Sequence, residues 1–165
     1  MDFENRILSP GQTGELCSRG RHIMQGYLNK PEATRETIID GWLHTGDIGY
    51  MDAEGYVYIT DRKKDLIIKG AENISPREIE EGLYTHPAIA EAAVFGVPDA
   101  TYGEEIVAAV VLRTGATASE AELKEYLGQY VTKFKIPAQI VFLETLPKGA
   151  SGKILKRAIK EQFTV

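Results

Sequence analysis

The stretch LPKGASGKILKR, residues 146–157, gathers the residue types best suited to chemistry in this chain. A proline opens it, Gly149, Ser151 and Gly152 loosen its middle, and Lys148, Lys153, Lys156 and Arg157 supply positive charge. A lysine on a loose loop at the start of a helix attracts anions, because the unpaired N–H groups of a helix N-terminus favour negative charge as well. The spacing departs from a phosphate-binding P-loop, which needs four residues between its glycines and a hydroxyl after its lysine. Here two residues separate Gly149 from Gly152, and Ile154 follows Lys153. Read alone, the loop is an ordinary solvated turn before it is a binding site, since lysine is a surface residue by default.

Two further stretches carry chemistry-bearing groups. In HTGD, residues 44–47, Asp47 could accept hydrogen bonds from a diol, as carboxylates do with ribose, or could satisfy the backbone N–H groups of a turn. In DRKKD, residues 61–65, the charges suit a binding site or a solvated linker. No dinucleotide fingerprint is present, and three dispersed histidines define no catalytic triad.

Composition sets the frame for these candidates. The net charge of -5 gives no reason to expect nucleic acid as a partner. A single cysteine, Cys17, excludes an internal disulfide and fits a reducing compartment. No Cys/His spacing suits zinc, so no metal site is expected. The longest apolar run, Ile106 to Leu112, is far too short to cross a bilayer. The acidic start MDFENRIL lacks the charge of a signal peptide. The chain reads as soluble and cytoplasmic.

With 43% hydrophobic residues the chain can form a core. Before residue 61 it is rich in glycine and short apolar stretches: a strand at GELCSRG, a helix over 31–39, and a hairpin over 50–60 bent at Asp-Ala-Glu-Gly. After that point the elements are better marked. DLIIK and ENI flank Gly70-Ala71 as a two-residue hairpin. Capping boxes at Ser75/Glu78 and Ser119/Glu122 open helices to about Tyr84 and Tyr130, the second with Leu123, Tyr126, Leu127 and Tyr130 on one face. Strands are expected over Glu91–Val97, ended by Pro98, over Glu105–Arg113 and over Gln139–Leu143, with a last helix over Ile154–Phe163. The order β-α-β-β-α-β-α points to an α+β unit with a small sheet.

Taken in order, GEL…GY (14–27), GWLHTGD (41–47), DRKKDLIIKGAENISPREIEE (61–81), GVPDATYGE (96–104) and LPKGASGK (146–153) resemble the adenylate-forming enzymes, which include acyl-CoA synthetases, luciferases and peptide-synthetase adenylation domains. DRKKD followed by ENISPREIE looks like an acyl-CoA synthetase for fatty or related carboxylic acids, whereas peptide-synthetase domains show a GRxDxQVKIRG-like stretch. The resemblance implies a C-terminal portion. Residues 1–61 would be the last, β-barrel-like part of a large N-terminal domain, 62–64 a hinge, and 65–165 a small mobile domain. That upstream domain would be its partner, and the chain alone is expected to be inactive.

The implied reaction joins a carboxylic acid to ATP as an acyl-adenylate and then transfers the acyl group to coenzyme A, with magnesium ligands expected upstream. By the same resemblance, Lys153 would be the catalytic lysine of adenylate formation, and Asp47 and Arg62 would hold the ribose hydroxyls. Lys64 would be the hinge, and the turn Lys69-Gly70-Ala71-Glu72 would serve the thioester step. Many relatives carry glycine at position 71, and the Cβ of Ala71 disfavours φ > 0. Trp42 and Tyr27 are expected to pack rather than bind ligand. Two alternatives stand beside this reading: a non-catalytic nucleotide- or CoA-binding module, and an enzyme that loads a carrier-protein pantetheine.

Overall fold

A computed structural model describes residues 1–163, which divide into two compact units, Met1–Lys64 and the chain from Asp65 onward. In the first unit, strands β1 (Gly14–Ser18), β2 (Ile38–Ile39), β3 (Trp42–Met51) and β4 (Val57–Arg62) form an antiparallel sheet with β3 as the shared partner. Helix α1 spans Pro31–Thr37 and stops short of the expected residue 39. The β-branched Ile38 and Ile39 pair instead with Leu43 and Trp42. The intervening Asp40 and Gly41 both take positive φ, 51° and 79°, the turn that Asp-Gly favours in hairpins. The hairpin expected over 50–60 joins β3 to β4. Its turn is held by Asp52 Oδ1, which accepts the N–H groups of Glu54 and Tyr56 at 3.1 and 2.8 Å. Ile48 is buried in this sheet, while Tyr56, Val57 and Ile59 stand exposed along the hairpin.

The second unit holds β5 (Ile67–Lys69), β6 (Glu72–Ile74), α2 (Pro76–Tyr84), β7 (Ile89–Asp99), β8 (Gly103–Leu112), α3 (Glu120–Leu127), β9 (Gln139–Phe142) and α4 (Lys156–Lys160). This is the expected α+β architecture. β7 runs antiparallel to β8, β9 runs parallel to β8, and the β5–β6 hairpin joins the same sheet at the pair Lys69–Gly103. β7 continues past Pro98, the expected terminator, to Asp99. As an outer strand of the sheet it tolerates a residue that cannot donate.

Side chains alternate across a sheet, so β7 and β8 face two ways. Ala92, Val94, Ile106, Ala108 and Val110 pack with Ile79 and Leu83 of α2 and Leu123 and Leu127 of α3. Ala93, Phe95, Val107 and Ala109 pack with Leu146 and Ile159. Both faces are therefore buried, which explains the apolar run read in β8. The box at Ser119/Glu122 forms completely, and Ser75 Oγ accepts the N–H of Glu78 at 3.4 Å. α3 ends at Leu127, capped by Gly128, rather than at Tyr130, which leaves Tyr130 exposed beside Tyr126 instead of on the buried stripe. No helix among the described residues is long and apolar enough to cross a membrane.

Candidate functional site

The HTGD segment lies within strand β3 as a bulge. Glu15 pairs with Ile48 and Cys17 with His44, so Thr45, Gly46 and Asp47 arch out opposite Leu16. Gly46 makes this affordable with φ of 74°. Thr45 Oγ1 fixes the arch, donating to the Leu16 carbonyl at 2.6 Å and accepting the Asp47 N–H at 3.1 Å. Asp47 therefore has its carboxylate directed elsewhere than in a turn aspartate. It faces Arg62 of β4 across the sheet, and its Oδ1 accepts from Arg62 Nε at 2.9 Å. Arg62 stays about half exposed, so the pair is an accessible carboxylate beside a guanidinium. That combination can bind hydroxyls and a phosphate edge.

Behind the bulge lies a group that the sequence reading passed over. Glu15 is buried, and its carboxylate accepts from Gly46 N at 3.0 Å, His44 Nδ1 at 2.9 Å and Lys63 Nζ at 2.8 Å. Burial pushes the Glu15 carboxyl up, but the bonds from His44, Lys63 and Gly46 together hold it below the ordinary carboxylate value. Cys17 Sγ lies 3.5 Å from His44 Nδ1, and burial together with the Glu15 charge pushes its thiol up. The ligand atoms of Glu15, Cys17 and His44 lie within 4.8 Å of one another, although the histidines are dispersed along the sequence. The available signal was Glu15 and Cys17 two apart on one strand face. A neutral thiol and a carboxylate already holding three donors do not make a magnesium site, which wants oxygen ligands.

Lys64 is exposed in the short 3-10 turn Lys63–Asp65, where the first unit ends. Trp42 is half-buried, with Arg19 5.8 Å over its ring. Tyr27, expected to pack, is exposed, because its segment is held by its backbone: the Tyr27 N–H donates to Thr34 Oγ1.

In the second unit, Gly70 and Ala71 both adopt positive φ, 55° and 66°, and close a tight hairpin turn between Lys69 and Glu72. The Gly70 N–H donates to the Tyr102 carbonyl at 2.9 Å. The structure separates four residues that the sequence reading grouped. Gly70, Ala71 and Glu72 are exposed, whereas Lys69 turns inward and is 7% exposed. Its Nζ donates to Glu105 Oε1 at 2.6 Å and to the Phe134 carbonyl at 3.2 Å, and it lies 4.8 and 5.5 Å from the rings of Phe134 and Tyr102. The Lys69 ammonium is thus committed to the interior.

Lys153 has the opposite setting. Residues Lys148 and Ile154 pair as an isolated bridge, Gly149 N–H donates to the Lys153 carbonyl at 2.9 Å, and Leu155 N–H donates to the Pro147 carbonyl at 2.8 Å. The expected helix over Ile154–Phe163 is therefore shorter, since Ile154 pairs with and Leu155 bonds back to the loop's incoming arm, and α4 begins at Lys156. Lys153 lies on a folded loop rather than at the expected helix N-terminus, so helix N–H groups do not add to its positive charge. Its basic neighbours are all matched: Lys148 with Glu91 at 2.7 Å, Lys156 with Glu80 at 2.7 Å and Lys160 with Glu104 at 3.1 Å. Among the described residues no carboxylate pairs with Lys153, and it is exposed.

An exposed lysine loop and an exposed β-turn on a sheet buried on both faces fit the small C-terminal domain of the adenylate-forming enzymes, the family to which the proteins similar to this chain belong. Residues 78–153 match the family model of the AMP-binding enzyme C-terminal domain. The chain is 49% identical over 158 residues to a long-chain-fatty-acid–CoA ligase of Bacillus subtilis, covering 96% of this chain and 28% of that protein. It is 50% identical over 145 residues to a sulfoacetate–CoA ligase of Cupriavidus necator, covering 87% of this chain and 28% of that protein. Among solved structures, the o-succinylbenzoate CoA synthetase of Bacillus subtilis, bound to its acyl-adenylate intermediate, superposes with a TM-score of 0.82 at 41% identity, over 95% of this chain and 32% of that one. The chain thus spans about a third of the length of the proteins it matches.

Proposed function

We propose that this chain is the C-terminal part of an ATP-dependent acid–thiol ligase, which activates a carboxylic acid as acyl-adenylate and transfers it to coenzyme A. The observation that carries the reading is Lys153, an exposed ammonium without a carboxylate partner on a loop whose other cations are all paired. Adenylate formation brings a carboxylate against the α-phosphate of ATP. A positioned cation offsets that repulsion and stabilises charge spreading at the reacting phosphate. Lysine suits the role as a compact charge on a long stem.

Asp47 and Arg62 supply the ribose-side contacts in this reading, and magnesium, with ligands outside the described residues, accompanies the ATP phosphates. Lys64 serves as the hinge, and Gly70 and Ala71 form the turn that faces the thiol in the second step. Lys69 contributes by anchoring that turn from inside. The exposed apolar residues Tyr56, Val57 and Ile59 fit a first unit that packs against an upstream domain of the same enzyme.

Relatives acting on acids as unlike as a long-chain fatty acid and sulfoacetate match at 49% and 50% identity. Substrate choice is therefore assigned to the upstream region, with fatty acids the first class to test. The test is ATP–pyrophosphate exchange by the ligase that carries this chain. Lys153→Ala should suppress exchange far more than thioester formation from supplied acyl-adenylate. Lys64→Pro should do the reverse. Equal loss in both steps for Lys153→Ala overturns the proposal. Offering coenzyme A and a carrier-protein pantetheine in parallel identifies the acceptor.

A further inference from the structure

The β5–β6 hairpin hangs on the sheet by little backbone. Its ladder to β8 has one paired position, Lys69 with Gly103, and the Gly70 N–H adds one bond to the Tyr102 carbonyl. The next outward N–H, that of Ile68, finds no strand carbonyl. It donates to the side chain of Glu104, whose Oε2 accepts at 2.9 Å. The other oxygen of that carboxylate, Oε1, accepts from Lys160 Nζ of α4 at 3.1 Å. The space for this is specific: a Cβ placed on Gly96 of β7 would lie 2.8 Å from Glu104 Cδ. Glycine at 96 lets the carboxylate lie across the sheet and reach both partners.

We infer that Glu104 is a positioning residue that ties the hairpin bearing Gly70 and Ala71 to the helix that ends the Lys153 loop. The assignment of those two loops to the two half-reactions rests on the function proposed above; the tie itself rests on the two hydrogen bonds of Glu104 and the space that Gly96 leaves for its carboxylate. One carboxylate holds the backbone of β5 with one oxygen and α4 with the other. α4 in turn fixes the outgoing arm of the loop, since Leu155, which bonds back to Pro147, leads directly into it. A glutamine at 104 has one carbonyl oxygen, so it can keep only one of the two partners, and its amide N–H₂ group repels the other. A carboxylate is needed to hold both. Glu105, next in β8, holds Lys69, so adjacent carboxylates of one strand anchor the hairpin by backbone and by side chain.

The tie is tested by amide hydrogen exchange on the 165-residue chain. Glu104→Ala should speed exchange about tenfold or more at Ile68 and, together with it, at Gly149 and Leu155, while the Val94 and Ala108 amides of the core stay protected. Gly96→Ala, which displaces the carboxylate without removing its charge, should reproduce that pattern. Lys160→Met should loosen Gly149 and Leu155 alone. If Gly149 and Leu155 are unmoved in all three variants, the tie is wrong. Uniform loss of protection in Glu104→Ala is resolved by Gly96→Ala and Lys160→Met, whose selective patterns remain required. In the ligase, Glu104→Gln should lower kcat of both half-reactions several-fold with KM for ATP unchanged, and Glu104→Asp should restore part of it. Selective exchange changes with both half-reactions unaffected would leave the tie standing and overturn the roles assigned to the two loops.

Discussion

Lys69 and Lys153 carry the same charge into opposite surroundings. Lys69 is 7% exposed, paired with Glu105, bonded to the Phe134 carbonyl and flanked by two aromatic rings. Lys153 is exposed and has no carboxylate partner among the described residues. Taking a charge out of water is unfavourable unless partners replace the water, so the buried lysine must be fully engaged for the fold to stand. A lysine that the fold does not engage is available to something else. The neighbours sharpen the point. Lys148, Lys156 and Lys160, five residues before Lys153 and three and seven after it, are each paired, so the lack of a partner at Lys153 is selective rather than a property of the loop.

The comparison breaks if the two lysines respond alike to removal. Lys153→Ala should lower ATP–pyrophosphate exchange by the ligase about 10²–10³-fold, the scale of losing one preorganised electrostatic contact. Its urea midpoint should move by less than about 0.5 kcal/mol in stability, as for other exposed substitutions. Lys69→Met should do the reverse, lowering the stability of the second unit by about 3 kcal/mol. It strands the Glu105 carboxylate, which is 19% exposed and can recover only part of its hydration. A Lys153→Ala chain that unfolds early, or a Lys69→Met chain with an unmoved midpoint, would erase the distinction.

What was legible in the sequence was local. Ser119/Glu122 capping and the hairpin at Gly70-Ala71 depend on residues a few positions apart, and such local signals, taken in order along the chain, carried the α+β assignment. What was missed depends on distant partners. Lys69 turns inward because Glu105 and Phe134, 36 and 65 residues away, wait for it. α4 starts late because Ile154 pairs backward with Lys148. Glu15 is reached by Lys63 from 48 residues away. The strand at Ile38–Ile39 is a different kind of miss, since Asp40-Gly41 is a local hairpin signal that a helical pattern over 31–39 overshadowed.

A third lysine lies between the extremes. Lys63 is 43% exposed yet holds the buried carboxylate of Glu15. Burial raises the Glu15 carboxyl, the three donors outweigh it, and the folded value falls below the ordinary 4.5. A carboxyl that binds its proton more weakly folded than unfolded stabilises the fold above the unfolded value, and that stability is lost as pH falls through the folded one. Glu15→Gln should therefore weaken the first unit by about 1–2 kcal/mol at neutral pH. Parent and variant should converge in acid, once Glu15 is protonated in the parent. Trp42, the only tryptophan, reports this unit by fluorescence during urea titration. An equal gap between the two proteins at neutral and acid pH would show that the Glu15 charge contributes nothing.

The smallest effect concerns how Lys69 is aimed. Ala71 sits at φ of 66°, where a Cβ crowds the backbone and costs about 1 kcal/mol, and it is exposed, so no packing compensates. Ala71→Gly removes that strain but adds freedom to the unfolded chain, so the net gain should be about 0.5 kcal/mol. Gly70→Ala should run the other way and further. It places a Cβ at φ of 55° and only 3.3 Å from Phe134 Cζ, the ring that shields the Lys69 ammonium. A loss of about 1–2 kcal/mol is expected there, from strain plus a ring displaced from its cation. The double-mutant cycle of Gly70→Ala with Lys69→Met should then be non-additive, because both changes disturb the same ring. Additive midpoints would mean that the turn and the buried lysine are independent, and that the exposed turn owes its geometry to its own two residues alone.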